Sequence, residues 1–207
     1  MSHEFWRDTF KRLRAIAQTG QAYTKDPYDR ERYEELEGLS LTMLARLLDS
    51  PLEVVQSVYL PEKGYPTPKV DVRAGVFDGD RILLVRESAD GRWTLPGGWG
   101  DEHESPRQSI EREVREESGF EVRAERLVAV KDRHLHPYTP KRLERIYKLF
   151  FLCELTGGEA ATSLETDAVD FFPLDDLPPL SLGRTLADDV ALLNAYRGSP
   201  ERDCYFD

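Results

Sequence analysis

The sequence of 207 residues contains little cysteine and no long apolar run. Its two cysteines, Cys153 and Cys204, show neither the spacing of a metal site nor that of a disulfide framework. No segment approaches the roughly 20 apolar residues of a membrane-spanning helix. The N-terminus is charged and amphipathic, unlike a signal peptide. We therefore expect a cytoplasmic protein with no membrane partner.

Positive charge is also scarce. The chain carries 28 Lys and Arg against 39 Asp and Glu, a net charge of −11 at pH 7. A general nucleic-acid binder should have a basic face. No such face is evident, so we expect no DNA partner. The acidity remains compatible with a phosphate-containing substrate if metal ions supply positive charge locally.

An acidic motif lies between Gly98 and Phe120. It consists of Gly98, five residues, Glu104, seven residues, and then Arg112-Glu-Val-Arg-Glu-Glu-Ser-Gly-Phe120. Background residue usage gives such a match on the order of 10⁻⁷ of the time in a chain of this length. Ser105 to Gln108 form a capping box with proline at the first helical position. With Gly119 as a terminator, the spacing predicts a helix over residues 106–118.

Three carboxylates fall on one face of that helix. At about 100° per residue, Glu113, Glu116 and Glu117 lie within an arc of about 100°. Such a cluster is unfavourable without a cation. Arg112, one turn before Glu116, can neutralise part of the charge. A hard divalent ion such as Mg²⁺ would neutralise more and join carboxylates to substrate phosphates. Before the helix, the glycines of Leu95-Pro-Gly-Gly98 let backbone carbonyls approach a metal or a phosphate closely.

The periodicity of the chain changes near residue 69. Residues 1–60 show helical spacing, and residues 61–68 are rich in proline and glycine, as a linker would be. Residues 69–197 alternate as strands around the carboxylate helix and close with a helix over residues 184–196. Residues 198–207 form a tail. The sequence thus predicts a small helical domain followed by an α/β (α+β) domain.

The acidic motif resembles the signature of the Nudix hydrolases. The resemblance to this family extends over residues 69–197. The resemblance implies an α/β/α sandwich with a mixed sheet. The stretch from Tyr59 to Ala74, with the helices before it, resembles Nudix enzymes that act on X-linked nucleoside diphosphates, such as CDP-choline pyrophosphatases. In that subgroup the helical part contributes to dimerisation, which implies a homodimer.

The resemblance also implies the chemistry. Water would cleave the diphosphate of a nucleoside diphosphate linked to X, giving a nucleoside monophosphate and phosphorylated X, with Mg²⁺ or Mn²⁺ as cofactor. Glu113 and Glu117 would be the principal ligands, assisted by Glu116 and the Gly97 carbonyl beside Gly98. Arg112 would orient the carboxylates, and Glu104 would support the loop or bind a metal through water. An ADP-ribose pyrophosphatase is an alternative, as is a nucleotide sensor without activity, although a sensor needs no three-glutamate cluster.

The remaining candidates lie outside the motif. The resemblance implies a general base either within the motif or in a downstream loop. Glu165 and Asp167 follow a glycine-containing turn, and Glu165 is the candidate there, with a solvated loop carboxylate as the alternative. Asp71 and Arg73 share one face of the first strand, where they either contact the substrate or form a structural salt bridge. Trp99 is a candidate for stacking on a base. The loop over residues 133–142 is the best candidate for substrate recognition, because it combines an aromatic ring, imidazoles and cations after a strand. Its candidates for contact are His136 and Tyr138, with simple solvent exposure as the alternative for the histidines.

Overall fold

The computed structural model describes residues 2–207. Met1, the first residue of the predicted helical domain, lies outside the described residues. The chain divides after Thr67 into two compact units. In the described part of the chain, each helix is too short or too polar to cross a lipid bilayer.

The first unit is helical, as the sequence predicts. In its described part it contains three helices: α1 (His3–Tyr23), α2 (Pro27–Leu47) and α3 (Leu52–Tyr59). The Asp26 carboxylate caps α2 by accepting hydrogen bonds from the backbone N–H groups of Tyr28 and Asp29. Pro27 occupies the first turn, where an N–H would have no partner. Apolar side chains from all three helices are buried in this unit, among them Ala17, Leu41, Leu44 and Val55.

The second unit is built on a mixed sheet. Its strands in the described residues are β1 (Lys69–Asp78), β2 (Arg81–Glu87), β3 (Trp93–Thr94), β4 (Phe120–Asp132), β5 (Ile146–Gly158), β6 (Thr166–Pro173) and β7 (Tyr205–Phe206). Their order is β3-β2-β1-β5-β4-β7, and β6 pairs with β2. β1 pairs in parallel with β5, and β4 with β7, whereas the other pairs are antiparallel.

Strand β1 leaves part of one edge open. It pairs with β5 from Lys69 to Val76, but with β2 only at Phe77 and Asp78. The glycine loop, residues 95–98, occupies the open edge instead. There Val72 N–H donates to the Gly98 carbonyl at 2.8 Å. Backbone hydrogen bonds along this edge of β1 therefore fix the glycine loop beside the strand.

Two helices cover opposite faces of this sheet. Helix α4 (Pro106–Ser118) packs through Ile110 and Val114 against one core, and α5 (Ala187–Arg197) packs through Val190 and Leu193 against the other. Alternate residues of a strand point to opposite faces. The side chains of Val72, Ala74 and Val76 accordingly join the α4 core. The expected α/β/α sandwich with a mixed sheet is confirmed.

Three local features differ from the sequence-based expectation. Helix α5 begins at Ala187 rather than near residue 184, because Leu186 is extended and the Asp189 carboxylate accepts its N–H at 2.8 Å. Strands β3 and β7 were not predicted, since two residues are too few to show a period. β7 lies in the segment predicted as a tail, where it pairs with β4.

Candidate active site

Helix α4 begins and ends at the predicted residues. Ser105 Oγ accepts the N–H of Gln108 at 3.3 Å, and Gln108 Oε1 accepts the N–H of Ser105 at 2.9 Å. Gly119 ends the helix in the left-handed conformation, with φ 74°. The capping box and the glycine set the phase of the helix, which directs its glutamates toward the glycine loop.

Arg112 lies at the centre of the acidic cluster. Its Nη1 donates to Glu113 at 3.0 Å and to Glu116 at 2.9 Å, and its Nε donates to Glu104 at 3.0 Å. Burial alone would lower the pKa of this guanidinium, but the surrounding carboxylates raise it above its ordinary value. Glu104 is in turn bound by the Ser109 hydroxyl at 3.0 Å. Arg112 therefore stays charged and fixes the spacing of the carboxylates.

Glu117 is the most buried glutamate of the motif. The residue is only 5% exposed, and its Oε2 accepts the N–H of Gly97 at 2.8 Å. Burial raises the pKa of this carboxyl to about 8, against the opposing effects of Arg73 and the Gly97 hydrogen bond. The protein alone therefore does not fully offset the cost of burying the negative charge of this carboxylate.

The glycine loop approaches both β1 and α4 too closely for side chains. A Cβ atom on Gly97, whose φ is 138°, would lie 2.0 Å from the Val72 carbonyl oxygen. A Cβ atom on Gly98 would lie 2.9 Å from Glu113 Oε2. Only glycine therefore lets the loop backbone reach the carboxylates.

Replacing Gly97 with alanine should disrupt this loop. The left-handed strain and the displacement of β1 together should lower the free energy of unfolding by at least about 2 kcal/mol and abolish any activity. Gly100→Ala is the matched control, because its Cβ atom would have no neighbour closer than 3.7 Å. Chemical denaturation checks both variants, and equal stability of the two would contradict the assigned role of Gly97.

Asp71 and Arg73 form the salt bridge that the sequence left as one of two possibilities. Asp71 accepts from Arg73 Nε at 2.9 Å and from Lys148 Nζ at 2.6 Å. Burial alone would raise the pKa of Asp71, but the two cations hold it at about 2. Arg73 Nη1 also donates to the Leu95 carbonyl at 3.1 Å. The pair thus supports the glycine loop, and both residues also line the adjacent cavity.

The structure brings most of the predicted site residues together around one cavity of about 550 Å³. Trp99 lies on its wall with 44% of its surface exposed, and Lys69 Nζ lies 5.6 Å from the centre of its ring. Leu164 is fully exposed on the same wall. The predicted residues that line the cavity are Asp71, Arg73, Gly97, Gly98, Trp99, Arg112, Glu113, Glu116, Glu117 and Glu165.

Two predicted recognition residues lie elsewhere. Tyr138 is completely buried, and its hydroxyl donates to Asp189 at 2.7 Å. The expectation that Tyr138 contacts substrate is therefore wrong, because its ring has no free face. His136 is not among the residues that line the cavity, and its Nε2 lies 3.1 Å from the Asp207 carboxylate. His136 therefore contacts Asp207 of the C-terminal segment and does not line the cavity.

Several residues of the cavity wall, such as Glu87 and Arg184, were not predicted from the sequence. Glu87, at the end of β2, is buried and pairs with Arg184 at 2.8 Å. Arg133 and Arg142 line the cavity from the loop over residues 133–142, whose cations the sequence already indicated as part of a recognition loop. A charged residue directly after an apolar strand was the available signal for Glu87.

The donor set at the cavity fits a hard divalent ion. It consists of carboxylate oxygens at Glu113, Glu116 and Glu117 with the backbone of Gly97, and Mg²⁺ prefers such oxygen ligands. Burial raises the pKa of Glu113 as well as that of Glu117, so both carboxylates would gain from a nearby cation. In residues 2–207, however, no three His, Cys, Asp or Glu side chains are already gathered in a metal-ligating arrangement. Arg112 holds two of the carboxylates, which would have to turn toward an ion.

Comparison with known proteins identifies both parts of the chain. The Nudix domain profile matches residues 67–192. A profile described as "UDP-X-like, N-terminal oligomerisation domain" matches residues 4–59. A Bacillus subtilis protein named "Putative ADP-ribose pyrophosphatase YjhB" is 44% identical over 202 residues, which cover 98% of this chain and 97% of the relative.

Solved structures agree with these matches. The crystal structure of a UDP-X diphosphatase shares 37% identity and a TM-score of 0.63, and both chains are covered completely. That of an ADP-ribose pyrophosphatase from Streptococcus suis shares 46% identity and a TM-score of 0.63, covering 68% of this chain and all of the other. The resemblance drawn from the acidic motif and the linker is confirmed. The chain belongs to the Nudix hydrolase family, as a pyrophosphohydrolase of the UDP-X-like type with an N-terminal oligomerisation domain.

Proposed function

We propose that this protein is a metal-dependent pyrophosphohydrolase that cleaves nucleoside diphosphates linked to another moiety X. The products are a nucleoside monophosphate and phosphorylated X. The observation that carries the proposal is the convergence of three glutamates and a side-chain-free backbone loop on one cavity. Arginines and the partly exposed Trp99 also line the cavity, and such groups suit a charged nucleotide.

Mg²⁺ or Mn²⁺ would be held by Glu113 and Glu117, assisted by Glu116 and the Gly97 carbonyl. When bound, the ion supplies neutralisation of phosphate charge and makes water more acidic. Arg112 keeps the glutamates spaced through its bonds to Glu113 and Glu116. Water attacks one phosphorus directly, forming a P–O bond while the anhydride P–O bond breaks, without a covalent enzyme intermediate.

Glu165 is the proposed general base. It lines the cavity, whereas Asp167, two residues later, is bound by Arg86 at 2.6 Å and does not line it. Glu165→Gln should lower kcat by roughly 10²–10⁴-fold, the usual contribution of a positioned base. Asp167→Asn is the matched control and should keep the wild-type rate. An undiminished rate of Glu165→Gln at high pH would remove Glu165 from this role.

The preferred X is proposed to be a choline-like or sugar-like group. The support is the UDP-X-like N-terminal domain and the full-length similarity to a UDP-X diphosphatase. ADP-ribose is the second candidate, favoured by the names of the Bacillus and Streptococcus relatives. In either case Trp99 would stack on the base.

The test is monophosphate release from CDP-choline, UDP-sugars, ADP-ribose, NADH and dinucleoside polyphosphates, with Mg²⁺ or Mn²⁺ and with EDTA. We expect turnover that EDTA abolishes and that prefers one X-linked nucleoside diphosphate. Saturable nucleotide binding without turnover of any compound would favour the sensor instead.

We also propose that the chain is a homodimer through its N-terminal helices. The support is the oligomerisation profile over residues 4–59 and exposed apolar side chains of that unit, such as Phe5 and Leu39. Light scattering should give twice the mass of the 23.8 kDa chain. A monomeric mass at micromolar concentration would contradict the proposal.

A further inference from the structure

Arg133 is a buried cation of the cavity wall with an unused donor. The residue is 2% exposed and begins the 3₁₀ turn after β4. Its Nη2 donates to the Pro140 carbonyl at 2.7 Å, and its Nε and Nη2 donate weakly to the Gly183 carbonyl. Nη1 is shielded from solvent and has no hydrogen-bond partner in residues 2–207. A buried donor without a partner is unfavourable, and more so when it is charged.

In the described chain, Arg133 has no carboxylate bonded to it either. Asp71 and Glu144 act on it electrostatically, but Asp71 is already bonded to Arg73 and Lys148. The guanidinium carbon also lies 5.5 Å from the centre of the Tyr138 ring. Burial lowers the pKa of Arg133, and the neighbouring Arg142 lowers it further. Two arginines on one stretch of wall repel each other unless an anion lies between or beside them.

We infer that Arg133, assisted by Arg142, binds a phosphoryl oxygen of the substrate's diphosphate directly and without metal. The inference rests on the proposed function for the identity of the ligand. Both arginines line the cavity that contains the motif glutamates, but they come from the segment between β4 and β5 rather than from α4. The diphosphate therefore meets positive charge from two sources, metal ions on the glutamates and guanidinium groups on this segment.

A phosphate fits this position better than a neutral carbonyl of a base. Charge-assisted hydrogen bonds from guanidinium to phosphate are roughly twice as strong as neutral ones. A neutral acceptor would satisfy Nη1 but bring no negative charge to the two guanidinium groups. The carbonyls of Pro140 and Gly183 hold Nε and Nη2, so Nη1 is the nitrogen left for a ligand.

The test is calorimetric binding to the full-length protein in EDTA, where hydrolysis is silent. The probes are α,β-methylene-UDP, α,β-methylene-ADP and inorganic pyrophosphate, with uridine and adenosine as unphosphorylated counterparts. Arg133→Gln should weaken binding of the three phosphorylated probes by about tenfold or more, and Arg133→Lys by less. The nucleosides should bind wild type and variants alike.

Arg142→Gln provides a second variant, because this side chain is exposed and its loss should leave the fold intact. It should weaken phosphate binding by about threefold or more. Arg145→Gln is the control in the same segment. Arg145 is paired with Asp132 and does not line the cavity, so its variant should bind like wild type. In turnover assays Arg133→Gln should raise KM more than it lowers kcat, as expected for a binding contact.

The inference is overturned by wild-type affinity of Arg133→Gln for the phosphorylated probes, by no binding to wild type in EDTA, or by equal losses for nucleosides. Equal losses would show that the arginine reads the base or supports the loop. If Arg133→Gln does not fold, wild-type affinity of Arg142→Gln overturns it. Arginine-dependent binding without metal-dependent turnover would contradict the proposed function alone.

Discussion

Glu117→Gln should remove nearly all metal-dependent turnover while the protein stays folded. We expect a loss of about 10³-fold in kcat/KM, which corresponds to about 4 kcal/mol of transition-state stabilisation. The amide keeps the shape of the side chain and can still accept the N–H of Gly97 at the position where Glu117 now accepts it at 2.8 Å. It removes the negative charge that a divalent ion needs.

The same substitution should not destabilise the fold. Because burial raises the pKa of Glu117 to about 8, its ionised form is disfavoured by the protein, and a neutral amide is better tolerated there. The thermal midpoint without metal should therefore stay level or rise, whereas the midpoint shift produced by Mg²⁺ should shrink. Glu121→Gln, at an exposed glutamate just beyond the helix, is the matched control for both readouts. Full turnover of Glu117→Gln with Mg²⁺ would show that the ligand assignment is wrong.

Helix α4 illustrates what can be predicted from the sequence. Its ends depend on local chemistry, the Ser105–Gln108 capping box and the left-handed Gly119, which act within a few residues. Its function depends on a helical period that places Glu113, Glu116 and Glu117 on one side. Both properties are local in sequence, so a reading of adjacent residues is sufficient to find them.

The walls of the cavity depend on distant pairings instead. Glu165 reaches the cavity because β6 pairs with β2, a contact across about 80 residues that no local period encodes. Arg133 and Arg142 line it because the segment after β4 folds back toward β5. Residue type alone predicted that the aromatic and imidazole groups of that segment would contact the substrate, yet the Tyr138 side chain is buried in the core.

The reason for the burial of Tyr138 is a polar cluster beneath α5. Asp189 is completely buried and accepts three hydrogen bonds, from Lys131 Nζ at 2.7 Å, the Tyr138 hydroxyl at 2.7 Å and Leu186 N–H at 2.8 Å. One carboxylate thus joins the end of β4, the segment after it and the start of α5. Burial raises the pKa of Tyr138, and the charge of Asp189 raises it further, so the phenol remains a donor.

Asp189→Ala should be among the most destabilising single changes in the second unit. It leaves the ammonium of Lys131, which is 4% exposed, without its carboxylate, and it removes the acceptor of the Tyr138 phenol and of the helix start. Breaking a buried ion pair on one side costs about 3–5 kcal/mol. Urea denaturation should show a loss of that size in the free energy of unfolding.

A substitution at the adjacent Asp188 is the control that distinguishes the effect of burial at Asp189 from the effect of its position in the helix. Asp188 is exposed in the same first turn of α5, so Asp188→Ala removes an equal charge and a similar interaction with the helix dipole. It should cost no more than about 1 kcal/mol. Adding Lys131→Met to Asp189→Ala should recover part of the lost stability, because the uncompensated cation is then gone. If Asp189→Ala costs no more than Asp188→Ala, the cluster does not hold α5 on the sheet. If Lys131→Met brings no recovery, the loss comes from the tyrosine and the helix start rather than from the buried charge.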